Sequence, residues 1–137
     1  MSLVLADTSG LYALLNRRDP FHTMARRHYQ SLPRHSEVIV IEYVLVETMT
    51  LLRARGFSPL AVQFRDALDK SVVFPLHHST PELEIATYDV FRRYHDKEWS
   101  YVDCAILATS KAIDVSVVLS LDHHIDQMGL QRLPTQQ

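Results

Sequence analysis

The chain has 137 residues, the length of one domain, with no room for a separate second one. Its 47% apolar and 22% charged residues are a globular composition, which excludes a disordered or fibrous chain. A net charge of −2 gives no global electrostatic case for binding nucleic acid, so any such case must be local. A single cysteine, Cys104, excludes an internal disulfide framework and fits a reducing cytoplasm. No apolar run approaches the ~20 residues of a membrane-spanning helix, and the N-terminus lacks a secretory pattern. A cytoplasmic protein without membrane contact is expected.

Short β-branched runs alternate with longer helical patterns, as in βαβ units around a parallel sheet. Leu3 to Ala6 reads as a buried strand, followed at once by the helix starters Asp7, Thr8 and Ser9. A short helix through Leu11, Leu14 and Leu15 comes next, and Asp19-Pro20 opens a second helix to about Leu32. Val38 to Ile41 is the second strand. From Tyr43 to about Arg55, Val44, Thr48, Leu51 and Leu52 recur at helical spacing, and Gly56 supplies the stop. Ser58-Pro59 caps a helix to about Lys70, and Val72 to Leu76 is the third strand. Thr80-Pro81 opens a helix with Leu83, Tyr88 and Phe91 among its apolar positions. Ser100 caps another, carrying Val102, Ile106, Thr109 and Ile113. Val115 to Leu121 is the fourth strand, Asp122 begins a short helix before Gly129, and Gln131 to Leu133 adds an edge strand. Thr135 to Gln137 is a polar tail.

Four carboxylates stand out by their neighbours. Asp7 and Asp122 follow the carboxyl ends of two parallel strands, where either serves equally well as a helix cap. Asp103 closes a Ser100-x-x-Asp103 pattern that fits a capping box. Glu47 lies three residues after Val44 and four before Leu51, within the apolar stripe of its helix. A buried glutamate there needs a partner, either an arginine or something bound. The joint placement says more than any one residue, because ligands bind at the carboxyl edge of an open α/β sheet. Four carboxylates in one crevice repel one another unless a cation screens them. Oxygen donors without thiolates favour Mg²⁺ or Mn²⁺, which keep waters and share substrate phosphates. One or two such ions would activate water against a phosphodiester.

These residues resemble the PIN-domain family, and in particular the VapC-type toxin nucleases of VapBC pairs. Leu5-Ala6-Asp7-Thr8-Ser9-Gly10 resembles the opening strand and first acid. Tyr43-Val44-Leu45-Val46-Glu47-Thr48 resembles the second-acid helix. Ser100-Tyr101-Val102-Asp103-Cys104-Ala105 resembles the third motif, and Leu121-Asp122-His123-His124-Ile125 the fourth, continuing to Gly129-Leu130. The resemblance implies one PIN-like domain over residues 1–137, a three-layer α/β/α fold with a mostly parallel sheet of four to five strands. It also implies a metal-dependent endoribonuclease restrained by a small VapB-like antitoxin, acting as a homodimer. Asp7 and Asp103 would be the principal metal ligands. Glu47 would complete the shell or position water, and Asp122 would bind metal directly or through water. Ser9 and Ser100 stand as hydroxyls behind the ligands or as ordinary caps. Ile125 replaces a frequent Phe.

Other features have plainer readings. The pairs His77-His78 and His123-His124 lack the helical spacing of a zinc site, although His123 or His124 stands close enough to Asp122 to meet a substrate phosphate. The arginine pairs at 17–18, 26–27 and 92–93 fit a solvated helix face, or phosphate contacts around an acidic centre. Tyr12, Phe21, Tyr29 and Phe64 fit base stacking or a hydrophobic patch for a partner, and for most of them core packing fits better. Cys104 fits a small packing residue. A phosphoacceptor domain would want an aspartate after the third strand, where Pro75-Leu76-His77-His78 stands. An aspartyl phosphatase would want a second acid at Ser9. A catalytically silent PIN-like binding module is the remaining alternative.

Overall fold

A computed structural model describes residues 2–71 and 73–133. Five strands form one sheet of order β3-β2-β1-β4-β5, and every pairing is parallel. The strands are β1 (Leu3–Ala6), β2 (Glu37–Ile41), β3 (Leu76–His77), β4 (Val117–Leu119) and β5 (Gln131–Leu133). Strand β1 is central: Leu5 pairs with Ile39 on one side and Val118 on the other. Strands covered on both faces must be apolar throughout, and Val38, Ile39, Val40 and Ile41 are all buried.

Helices α1 (Thr8–Leu15), α2 (His22–Gln30), α3 (Glu42–Ala54) and α4 (Ser58–Leu68) form one contacting group. Helices α5 (Pro81–Arg93) and α6 (Tyr101–Ile113) form another, and the short α7 (His124–Gln127) precedes β5. The sheet thus lies between helical layers, as the family resemblance implies. Helix α6 is buried from Asp103 to Ser110. It gives Ala105 and Ile106 to the main core and Cys104, Leu107 and Ala108 to a second cluster with Leu83, Val90 and Trp99. Cys104 is therefore a packing residue. Tyr12 and Phe64 also belong to the interior, whereas Phe21 is exposed. No helix among the described residues is long and apolar enough to cross a membrane.

One glycine fixes how α1 meets the sheet. A Cβ on Gly10 would stand 2.2 Å from the Leu119 carbonyl oxygen, so only glycine lets the helix approach the end of β4. Gly56, with φ +86°, ends α3 as the sequence predicts.

Boundaries of four elements differ from expectation, where a side chain, a proline or the end of a helix takes over the backbone. Helix α7 starts at His124 rather than Asp122, whose Oδ1 accepts the His124 amide. Helix α2 starts at His22, not at Pro20, because the Asp19 carboxylate accepts the Phe21 amide at 2.8 Å in a preceding turn. The third strand is only Leu76–His77. The Ser71 hydroxyl accepts the amides of Val73 and Phe74, and Pro75 has no amide to give. Val72, expected to begin that strand, lies outside the described residues, as does the tail at 134–137. Strand β4 is shorter than the expected Val115–Leu121. The Val115 amide closes onto Ser110 at the end of α6, and the Leu121 amide donates to the Ser9 hydroxyl.

Candidate metal centre

The crossover between β1 and β4 creates the site. Because the chain leaves β1 toward β2 and returns to β4, the two strand ends open side by side without a connecting loop across them. Asp7 follows β1 directly and caps α1, its Oδ1 accepting the Thr8 amide at 2.9 Å. Its Oδ2 accepts the Ser120 hydroxyl at 2.7 Å. The Ser120 Oγ in turn accepts the Asp122 amide at 3.0 Å, so one buried hydroxyl fixes both strand ends. Ser9 adds a second tie by accepting the Leu121 amide at 2.9 Å.

Asp103 reaches the same place from the first turn of α6. The capping box is real: the Asp103 amide donates to Ser100 Oγ at 3.0 Å, and the Ser100 amide donates to Asp103 Oδ2 at 2.9 Å. Capping uses one carboxylate oxygen and leaves Oδ1 free of protein donors among the described residues. Asp122 is similar, with Oδ1 accepting the His124 amide at 2.9 Å. Ser100 therefore acts as a helix cap, while Ser9 braces the strand ends.

Asp7, Asp103 and Asp122 each offer a carboxylate oxygen within 4.8 Å of the others. Asp7 is 4% exposed and Asp103 5%. Burial pushes the Asp7 carboxyl up to about 6; the Ser120 hydroxyl works against this, and the charge of Asp103 adds to it. The cleft around the trio has a volume of about 390 Å³ and includes Thr8, Ser9, Glu47, Glu98 and His124 in its lining. Thr8 Oγ1 is buried without a hydrogen-bond partner among the described residues. Crowded carboxylates, oxygens free of protein donors and an unpaired hydroxyl fit a hard divalent cation and its waters.

Glu47 departs from expectation. The buried stripe of α3 runs through Val44, Leu45, Thr48 and Leu52, which leaves Glu47 on its flank, exposed to solvent. It lines the cleft but stands outside the trio of close oxygens. Sequence reasoning also left Ser120 and Glu98 without a specific role, and gave His124 only a contact with substrate phosphate, not one with the carboxylates. Ser120 and Glu98 carry no motif. His124 Nδ1 lies 3.2 Å from Asp103 Oδ2 and 3.5 Å from Asp122 Oδ1. His123, by contrast, is exposed, and its ring reaches only within 3.8 Å of Asp122.

Residues 4–130 match the model of the PIN domain. The chain belongs to the PIN-domain family. This PIN domain is 30% identical over 127 residues to the 23S rRNA-specific endonuclease VapC20 of Mycobacterium tuberculosis, spanning 93% of this chain and 95% of that protein. The crystal structure of M. tuberculosis VapC20, described as a sarcin–ricin loop cleaving toxin, matches with a TM-score of 0.84 at 29% identity. That match covers 94% of this chain and 96% of the other. FitAcB from Neisseria gonorrhoeae matches with a TM-score of 0.68 at 15% identity, over 94% of this chain and 95% of that one. VapBC-1 from nontypeable Haemophilus influenzae matches at 0.65 and 13%, over 95% and 96%. These two share the fold. The PIN domain described here is therefore a homologue of a VapC-type endonuclease.

Proposed function

We propose that residues 1–137 form one Mg²⁺- or Mn²⁺-dependent endoribonuclease domain, the cytoplasmic toxin of a type II toxin–antitoxin pair. The observation that carries this reading is the convergence of Asp7, Asp103 and Asp122 at the β1–β4 crossover of a VapC20 homologue. These oxygens would hold a divalent ion, which would supply Lewis-acid activation of a phosphodiester and of an attacking water. Asp7 and Asp103 are the principal ligands in this reading, with Asp122 binding directly or through water. Glu47, exposed at the rim, completes the shell or positions the attacking water. The hydroxyls of Ser120 and Ser9 hold the strand ends so that the carboxylates do not relax apart.

Several surfaces support the partners. Arg18 stacks 6.0 Å over the Phe57 ring and Arg55 4.9 Å over Tyr12, which presents rigid guanidinium groups to RNA phosphate. Arg92 and Arg93 instead pair with Asp89 on a solvated helix face. An apolar groove of about 700 Å³ adjoins the cleft, lined by Tyr43, Val46, Leu51, Ala54 and Val102 with Glu42, Glu47 and Glu84 at its rim. That combination suits an antitoxin segment with apolar anchors and a basic side chain. Ile85, Tyr88 and Phe91 form an exposed stripe on α5 that suits a second copy of the chain.

The test is incubation of purified protein with ribosomal RNA, the substrate class of the VapC20 relative, with and without Mn²⁺. Wild type should cut at discrete positions only with metal. Asp103→Asn should lose more than the ~100-fold typical of groups behind the ligands. Metal-independent cutting, or equal cutting by the variant, would overturn the assignment. RNA binding without any cutting would favour the silent binding module.

A further inference from the structure

We propose that His124 is a positioning residue that clamps Asp103 to Asp122 and so sets the geometry of the metal centre. The inference rests on the metal-centre reading above. His124 is the first residue of α7, and its two polar groups serve two carboxylates from different parts of the fold. Its backbone amide donates to Asp122 Oδ1 at 2.9 Å. Its ring Nδ1 makes a hydrogen bond of 3.2 Å to Asp103 Oδ2 and lies 3.5 Å from Asp122 Oδ1. Ionised carboxylates only accept, so a ring nitrogen facing two of them carries the proton. In the clamp Nδ1–H is a donor, whereas direct ligation by this nitrogen, within the Asp122, His123 and His124 grouping, would need it deprotonated.

The consequence lies in which oxygens remain. Asp103 Oδ2 receives two donors, the Ser100 amide and His124 Nδ1, so its Oδ1 is the oxygen left for a cation. Asp122 Oδ1 is likewise occupied by the His124 amide, which leaves its Oδ2. Without the ring, the early turn of α6 and the β4–α7 segment have no direct side-chain tie at this point among the described residues. The side chain is 19% exposed, shielded enough for the hydrogen bond to hold against water. Orienting groups of this kind act on metal affinity through the ligands they hold.

The amide of Asn places its NH₂ near the position of Nδ1, whereas that of Gln reaches the position of Nε2. Mn²⁺ binding to the full chain, measured by titration calorimetry, therefore separates the two nitrogens. His124→Gln and His124→Leu should each weaken Mn²⁺ affinity ~10–100-fold, and His124→Asn should stay within about threefold of wild type. Thermal melts without metal identify any variant that fails to fold, and the Asn–Gln pair carries the decision if Leu does. Affinity retained by Gln and lost by Asn would make Nε2 the working atom and overturn the clamp. Equal binding by wild type and all three variants would overturn it too, leaving the metal centre intact. A wild type that binds no Mn²⁺ would overturn both.

Discussion

Two hollows meet along α3, and they are built on opposite principles. The acidic cleft gathers carboxylates that are costly to bury and holds each with fixed donors from Thr8, Ser120, Ser100 and His124. The neighbouring groove is larger, about 700 against 390 Å³, and leaves apolar side chains in water, with Val46 65% exposed. Glu47 and Leu51 line both. The cleft spends stability on confined charge, whereas the groove leaves apolar area uncovered that a partner can bury. Each should therefore respond differently to substitution.

Asp7→Asn gives the largest contrast. Its RNA cleavage should fall by more than ~100-fold, the upper end for groups behind metal ligands. Its metal-free stability near neutral pH should rise by about 2–3 kcal/mol, because a confined charge is removed. The folded-state carboxyl titrates at about 6 against 3.8 for the ordinary group, so the folded chain holds the extra proton between those values. Wild-type stability without metal must then fall as pH rises through that window and stay low above it. Thermal melts of both proteins at pH 5 and 7.5 check this; Mn²⁺ should raise the wild-type melting temperature more at the higher pH. Equal pH profiles would show that Asp7 carries no such penalty.

Gly10→Ala attacks the frame of the cleft. The added methyl meets the Leu119 carbonyl, and urea unfolding should show a loss of about 1–3 kcal/mol, the usual cost of overpacking. Glu47→Gln should lower cleavage only about tenfold with unchanged stability, since Glu47 is exposed and outside the close trio. A loss as large as that of Asp7→Asn would place Glu47 among the essential ligands. Val46→Ser should be the mildest, within about 0.5 kcal/mol in stability and silent in cleavage by the isolated chain. Its effect should appear as weaker binding of an antitoxin peptide, measured by calorimetry.

Much of the frame was legible because local chemistry and global fold agree at those points. The Asp7-Thr8-Ser9 start after an apolar run marks the end of β1, and Ser100-x-x-Asp103 marks α6. At Asp103 the cap and the cleft turned out to be one arrangement, since a carboxylate has two oxygens and the cap uses one. Glu47 was misjudged because spacing from Val44 and Leu51 alone does not locate the centre of a helix stripe, which Leu45, Thr48 and Leu52 pull the other way. The short β3 depends on Ser71 accepting amides two and three residues on, a competition that hydropathy does not register. Ser120 carries no pattern of its own, and its importance comes from a partner 113 residues away in the chain.

That separation has a bearing on synthesis. A growing chain carries Asp7 113 residues before Ser120 is made, and the acid gains its Ser120 and Asp122 neighbours only once β4 is laid beside β1. Until then an emerging polypeptide has strands and helices but no assembled acidic cleft. The order of residues along the chain thus works as a timer, completing the cleft only after β4 has been made.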